Sequence, residues 1–219
     1  MIPRRLLTLG LLAIAAALGG CATSRSELQL PSAAAASAAV AADAPVAVIR
    51  SVKDERTFEQ APDEPSTPSL GFEGATQATA EAKLRAIGRK RNTFGQALGD
   101  IFLQEGQTVE TVVRDSLTQT LAAAGYNVRS EAPPGAQALV VDVRIKKFWA
   151  WMNPGFWAIT LSTEIATDLS LSGPPGSANV AVKFSDSRQM ATESAWLETV
   201  DKGLQAWRAE AAQKLPRAR

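Results

Sequence analysis

Residues 138–171 read Ala-Leu-Val-Val-Asp-Val-Arg-Ile-Lys-Lys-Phe-Trp-Ala-Trp-Met-Asn-Pro-Gly-Phe-Trp-Ala-Ile-Thr-Leu-Ser-Thr-Glu-Ile-Ala-Thr-Asp-Leu-Ser-Leu, and their alternation decides the fold class. Leu139, Val141, Val143 and Ile145 alternate with Val140, Asp142, Arg144 and Lys146, which is the period-two pattern of a half-buried strand. Trp157, Ile159, Leu161, Ile165, Leu169 and Leu171 repeat the pattern in a second, longer strand. Asn153-Pro154-Gly155 supplies turn chemistry between them, so the two form a hairpin. By parity, Trp149 and Trp151 continue the apolar odd face of the first strand, and Trp157 opens that of the second. Trp149 and Trp157 are therefore expected in the core beneath the helices, while Trp151 and Phe156 are open to either core or surface.

Outward from this hairpin, Val180, Val182 and Phe184 give a third alternating strand after Gly173-Pro174-Pro175-Gly176. Trp196, Val200, Leu204, Trp207 and Ala211 recur every three or four residues and predict a helix. Upstream, Val109, Val112, Val113, Leu117, Leu121 and Ala124 share one helical face, with Gly125 placed to cap its end. Residues 46–52 are β-branched and predict a strand, whereas three prolines and two glycines between Phe58 and Ala75 predict a long irregular loop. The expected architecture over 45–215 is a single α+β domain: a two-layer sandwich with a mainly antiparallel sheet and two helices packed on one face.

Composition limits the chemistry. With no histidine and one cysteine, the chain lacks histidine general bases, Ser-His-Asp and Cys-His pairs, and Cys/His zinc sites. A net charge of +1 gives no electrostatic case for nucleic acid. Glu164 and Asp168 lie on the polar face of their strand, and neither P-loop nor S-x-x-K spacing occurs. No catalytic residue, metal ligand or cofactor is expected, and the protein is read as a non-enzyme.

Two segments could make contacts. Arg89-Lys90-Arg91 concentrates positive charge between Gly88 and Gly95, either as a cradle for a phosphate, a lipid headgroup or an acidic loop, or as a solvated basic turn. The hairpin tip from Trp151 to Phe156, if exposed, suits a protein partner or the membrane interface.

The N-terminus carries an address. Arg4 and Arg5 precede an apolar run from Leu6 to Leu18, too short for a comfortable bilayer crossing, so residues 1–20 read as a signal peptide. Leu18-Gly19-Gly20-Cys21 resembles the lipobox of bacterial lipoproteins, which implies a diacylglyceryl group on the Cys21 sulfur and cleavage before it. Three acyl chains, as the resemblance implies, exceed what stable anchoring requires. Ala22 rather than Asp follows, which by the same resemblance implies the periplasmic face of the outer membrane. Residues 21–44, rich in Ala and Ser, read as a flexible tether of about 27 Å, or roughly 80 Å when fully extended.

Taken together, the lipobox, the 46–52 strand, Arg89-Lys90-Arg91-Asn92, the helix ending Ala124-Gly125-Tyr126, the strand-rich middle and the C-terminal helix resemble the YajG-like family of bacterial lipoproteins. The same order of elements also resembles auxiliary lipoproteins of lipid-transporting ABC systems. The first resemblance implies outer-membrane attachment and carries no established reaction, so it transfers no catalytic residues. The expected function is accordingly a lipid-anchored envelope lipoprotein that binds a protein partner, or alternatively a carrier or auxiliary subunit of lipid transport.

Overall fold

The computed structural model describes residues 25–31, 44–71, 74–135 and 137–218. The expected signal peptide, Cys21 and most of the expected tether lie outside these residues. In chain order the elements are β1 (Ser26–Leu28), β2 (Val46–Asp54), α1 (Ala80–Arg85), β3 (Ala86–Arg91), β4 (Ala97–Leu103), α2 (Val109–Ala123), β5 (Asn127–Arg129), β6 (Ala138–Pro154), β7 (Ile159–Leu171), β8 (Ser177–Arg188) and α3 (Glu193–Lys214).

All eight strands join one sheet with β6 at its centre. Along one edge β6 pairs antiparallel with β7, which pairs antiparallel with β8, as the alternation predicts. The other edge forks. Residues 138–145 of β6 pair in parallel with β2, and β2 with β5, whereas Ala150 and Trp151 pair in parallel with Gly88 and Arg89 of β3. β3 continues antiparallel to β4, and β4 in parallel to β1.

The sheet is thus mixed, not mainly antiparallel, and three helices accompany it among the described residues. The expected two-layer sandwich is corrected on this point, though the class remains α+β. An alternating strand pattern records which face is apolar and nothing about the direction of a neighbour. The missed strands β1, β3, β4 and β5 are short or charged, so periodicity passes over them.

One core lies between the sheet and α2 with α3. It gathers Val112, Val113, Leu117, Leu121, Trp196, Val200, Leu204 and Trp207 against Ile145, Phe148, Leu161, Ile165 and Leu169. Thr108 caps α2 with a reciprocal Thr108–Thr111 box, and Gly125, at φ +95°, takes the left-handed position past its end. Thr192 caps α3. The helix α3 comes so close to β7 that a Cβ on Gly203 would stand 2.3 Å from the Thr163 methyl.

A second, smaller core of Leu70, Ala86, Phe102, Trp149 and Trp151 occupies the opposite face, covered by Phe58, Ala78 and Ala82 from the irregular loop and α1. Its existence follows from one bulge. The β6–β7 register slips between Ile145 and Lys147, which reverses the parity of everything beyond. Phe148, Ala150 and Met152 then face the helices, and Trp149 and Trp151 the loop. Trp149 is buried as expected, but not beneath the helices. Its indole N–H donates to the Pro65 carbonyl at 3.2 Å.

Arg56 closes the fork. Glu55 N–H makes the last bond from the β2 side, to the Ile145 carbonyl, and the chain then leaves β6. In the gap, the fully buried Arg56 guanidinium donates to the carbonyls of Ala86 (2.7 Å), Phe148 (3.0 Å) and Lys83 (2.7 Å), and pairs with Asp54 at 2.7 Å. One side chain satisfies the strand carbonyls of Ala86 and Phe148 at the gap and the Lys83 carbonyl in the last turn of α1.

Residues 25–31 also depart from expectation. They fall inside the stretch read as tether, yet Ser26–Leu28 forms an edge strand, and Leu28 and Leu30 are buried in the main core. Gln107 clamps Leu30 by its side-chain amide, accepting from Leu30 N–H at 3.0 Å and donating to Leu30 C=O at 2.8 Å. The Ala/Ser composition of the surrounding stretch concealed two leucines at strand spacing.

Candidate functional site

The basic segment Arg89-Lys90-Arg91 belongs to β3, and its side chains alternate between the two faces of the sheet. Arg89 and Lys90 are buried. On the loop side, Arg89 donates to Ser69 Oγ (3.2 Å) and the Gly71 carbonyl (2.6 Å) and pairs with Asp100 across 3.5 Å. Arg91 reaches Ser69 Oγ (3.1 Å) and the Pro62 carbonyl (3.1 Å). On the other side, Lys90 Nζ donates to Ser26 Oγ at 2.7 Å, tying β3 to β1. The segment is therefore neither an open basic turn nor a free cradle; much of its charge ties β1 and the irregular loop to the sheet.

Between that loop and β3–β4 a cleft of about 590 Å³ remains, lined by Arg25, Leu70, Ala78, Ala82, Phe102 and the Arg89–Asp100 pair. The Arg25 guanidinium sits over the Phe102 ring at 4.4 Å. Burial pushes the Asp100 carboxyl above its ordinary value, against the opposing pull of Arg89, the Gly71 N–H and Arg25. Burial, then the neighbouring Arg89, pushes the Arg91 guanidinium down. Arg89 Nε and Asp100 Oδ1 face each other across the 3.5 Å ion pair without a closer hydrogen bond, so the cleft floor is a buried, charge-paired polar surface. Apolar walls above a polar floor suit recognition of a short polar or charged group. Among the described residues no group of three His, Cys, Asp or Glu could hold a metal, and no helix is long and apolar enough to cross a membrane.

The aromatic segment separates into two environments. Trp151 is buried on the loop face, with the Lys183 and Lys147 ammonium groups 5.2 and 6.0 Å from its ring. Phe156 is exposed and packs edge-on against Trp157 at 4.7 Å. Trp157, expected in the core, is 84% exposed. The reason is local: β7 begins only at Ile159, and Gly155 N–H closes the turn on the Ala158 carbonyl at 2.9 Å, which leaves Trp157 in the turn.

The sequence reading missed Arg56, Asp100, Arg25 and the exposed Phe94. Phe94 had a readable signal in Asn92-Thr93-Phe94-Gly95. Asn92 Oδ1 accepts from the N–H groups of Phe94 and Gln96, both at 2.9 Å, and Gly95 sits at φ +77°, a tight turn that lifts Phe94 into solvent.

No protein-family model matches the chain, and no curated protein matches it. Among solved structures, an uncharacterized protein shares 14% identity over 87% of this chain and 97% of its own, at a TM-score of 0.42. Protein XCC0632 from Xanthomonas campestris, of the DUF330 family, shares 8% over 86% of this chain and 91% of its own, at 0.39. A minor lipoprotein from Acinetobacter baumannii shares 16% over 49% of this chain and 87% of its own, at 0.32. These are distant likenesses, and none of the three carries the YajG-like name.

Proposed function

We propose that this chain is a lipoprotein of the bacterial cell envelope, held through Cys21 on the periplasmic face of the outer membrane. Its α+β domain binds a protein partner and catalyses no reaction. The observation that carries the reading is Cys21 itself, the sole cysteine, standing directly behind a charged and apolar leader in Leu18-Gly19-Gly20-Cys21. The cleft between β3–β4 and the irregular loop supplies the contact, with Arg89 and Asp100 as its polar floor. Labelling cells with radioactive palmitate tests the anchor: the wild type incorporates label and fractionates with the outer membrane, and Cys21→Ala does neither. Photo-crosslinking from Gln77 and Ala78 at the cleft rim tests the partner, and a discrete protein adduct is the expected result.

A second reading draws on the same cleft. Apolar walls of Leu70 and Phe102 beside guanidinium groups also suit a phospholipid headgroup with the start of its chain, as a lipid-transport auxiliary would need. Phospholipid recovered by mass spectrometry from protein purified without added lipid would favour it.

A further inference from the structure

Four large apolar side chains stand in solvent among the described residues: Phe94 at 88% exposure, Phe156 at 89%, Trp157 at 84% and Met190 at 69%. Their positions in the sequence are scattered, but the sheet register brings them to one end. Phe94 is in the β3–β4 turn, Phe156 and Trp157 are in the β6–β7 turn, and Met190 follows β8. Arg89 is level with Trp151, so the β3–β4 turn lies beside the end of β6. Ile159 pairs with Arg188, so Met190 lies beside the β6–β7 turn. The three connections, 92–96, 153–158 and 189–192, contain no charged residue.

The chain leading to Cys21 leaves from the same end. β1 runs parallel to β4, with Ser26 level with Ile101, which pairs with Gly88 and so lies level with Ala150. Upstream of Ser26 the strand direction points toward the β6–β7 turn. Ala150 lies four residues short of Pro154, about 13 Å at strand rise. Cys21 lies five residues before Ser26, a reach of about 17 Å. With β1 docked, only four residues separate the anchor cysteine from Ser26, and the domain cannot float far from the lipid.

We infer that the rim formed by Phe94, Phe156, Trp157 and Met190 is a second membrane contact, immersed in the headgroup region of the leaflet that holds the Cys21 acyl chains. The inference rests on the anchor proposed above. Indole and phenyl rings on neutral turns match the interfacial region, where tryptophan is enriched. Attraction to anionic lipid is not the driving force, because the loop beside Arg91 exposes Asp63 and Glu64. Apolar transfer is, and the contact survives high salt.

Trp157 makes the test direct, since Trp149, Trp151, Trp196 and Trp207 are all at most 3% exposed. The acylated mature chain is reconstituted into phosphatidylethanolamine–phosphatidylglycerol vesicles whose acyl chains carry bromine, with Trp157→Phe in parallel. Flotation and tryptophan quenching are read on the same samples. The expected result is a blue-shifted component, quenched by bromine, protected from aqueous iodide and missing from Trp157→Phe, while both proteins float. If both float but that component remains open to iodide and untouched by bromine, the inference is overturned, the anchor stands, and the rim is left to a protein partner. If the wild type does not float, the anchor fails and this inference fails with it.

Discussion

The lower half of β6, residues 138–145, and its upper half, from Lys147 onward, are held by different means. Below the bulge, Val141, Val143 and Ile145 pack beneath α2 and α3, and the outward positions Asp142 and Arg144 meet partners at the surface. Above it, both faces are covered, and the neighbours include cations taken out of water: Arg56, Arg89 and Lys90. The lower half is stabilised by apolar transfer, which is non-directional and tolerant. The upper half depends on directional bonds from a few charged groups, each costly to leave unpaired.

Three substitutions sharpen this contrast and a fourth could break it. Trp207→Ala removes a fully buried indole that also donates to Thr167 Oγ1 at 3.1 Å, and thermal or urea unfolding should show a loss of about 3–5 kcal/mol spread over the whole domain. Arg56→Met removes the guanidinium from Asp54, which keeps only the backbone N–H of residue 56, and from three carbonyls, for a loss of about 3 kcal/mol. Here limited proteolysis should cut first within 57–79, while α3 stays protected. Equal susceptibility of both regions would mean that the halves are not distinct. Gly88→Ala places a Cβ 2.6 Å from the Ala150 carbonyl oxygen, where β3 meets β6, and should cost about 1–3 kcal/mol in the same measurement.

The smallest effect belongs to the rim of the lower half. Asp142 accepts from Arg50 and from Ser51 Oγ at 2.6 Å, and these hydrogen bonds hold its carboxyl below the ordinary value. A carboxyl lowered in the folded state contributes stability that is complete above its unfolded value and is lost as pH falls through the folded one. Asp142→Asn should therefore change stability by less than about 1 kcal/mol at neutral pH and flatten the acid limb of a stability-against-pH curve.

The same contrast explains what could be read from residues alone. The lower half of β6, β7, β8, α2 and α3 carry apolar periodicity, and β2 a β-branched run, so each is legible. β3 is legible only as a basic cluster, because Arg89 and Lys90 are buried along with Ala86, Ile87 and Gly88, and the burial of these two cations depends on Ser69, Gly71 and Ser26, which lie far off in sequence. The bulge at Lys146 has no signature, yet it reverses the parity on which the placing of Trp149 and Trp151 beneath the helices relied. Of the candidate contact residues, Phe156 is at the surface and Arg91 half-buried, while Arg89, Lys90 and Trp151 are buried. The tether reading failed over 25–31 for a related reason: two buried leucines and one glutamine clamp outweigh the composition around them.

Hydrogen exchange on the full chain tests most directly whether β1 belongs to the upper half and so fixes the proposed Cys21 anchor beside the aromatic rim. Leu30 N–H donates to Gln107, and Gln104 N–H donates to the Leu28 carbonyl at 2.9 Å. Both amides should be protected to the same degree as the β3–β4 pair and should lose protection together in Arg56→Met. Exchange of Leu30 and Gln104 at the rate of an unstructured chain, with β3 and β4 still protected, would contradict the account and return residues 25–31 to a free tether.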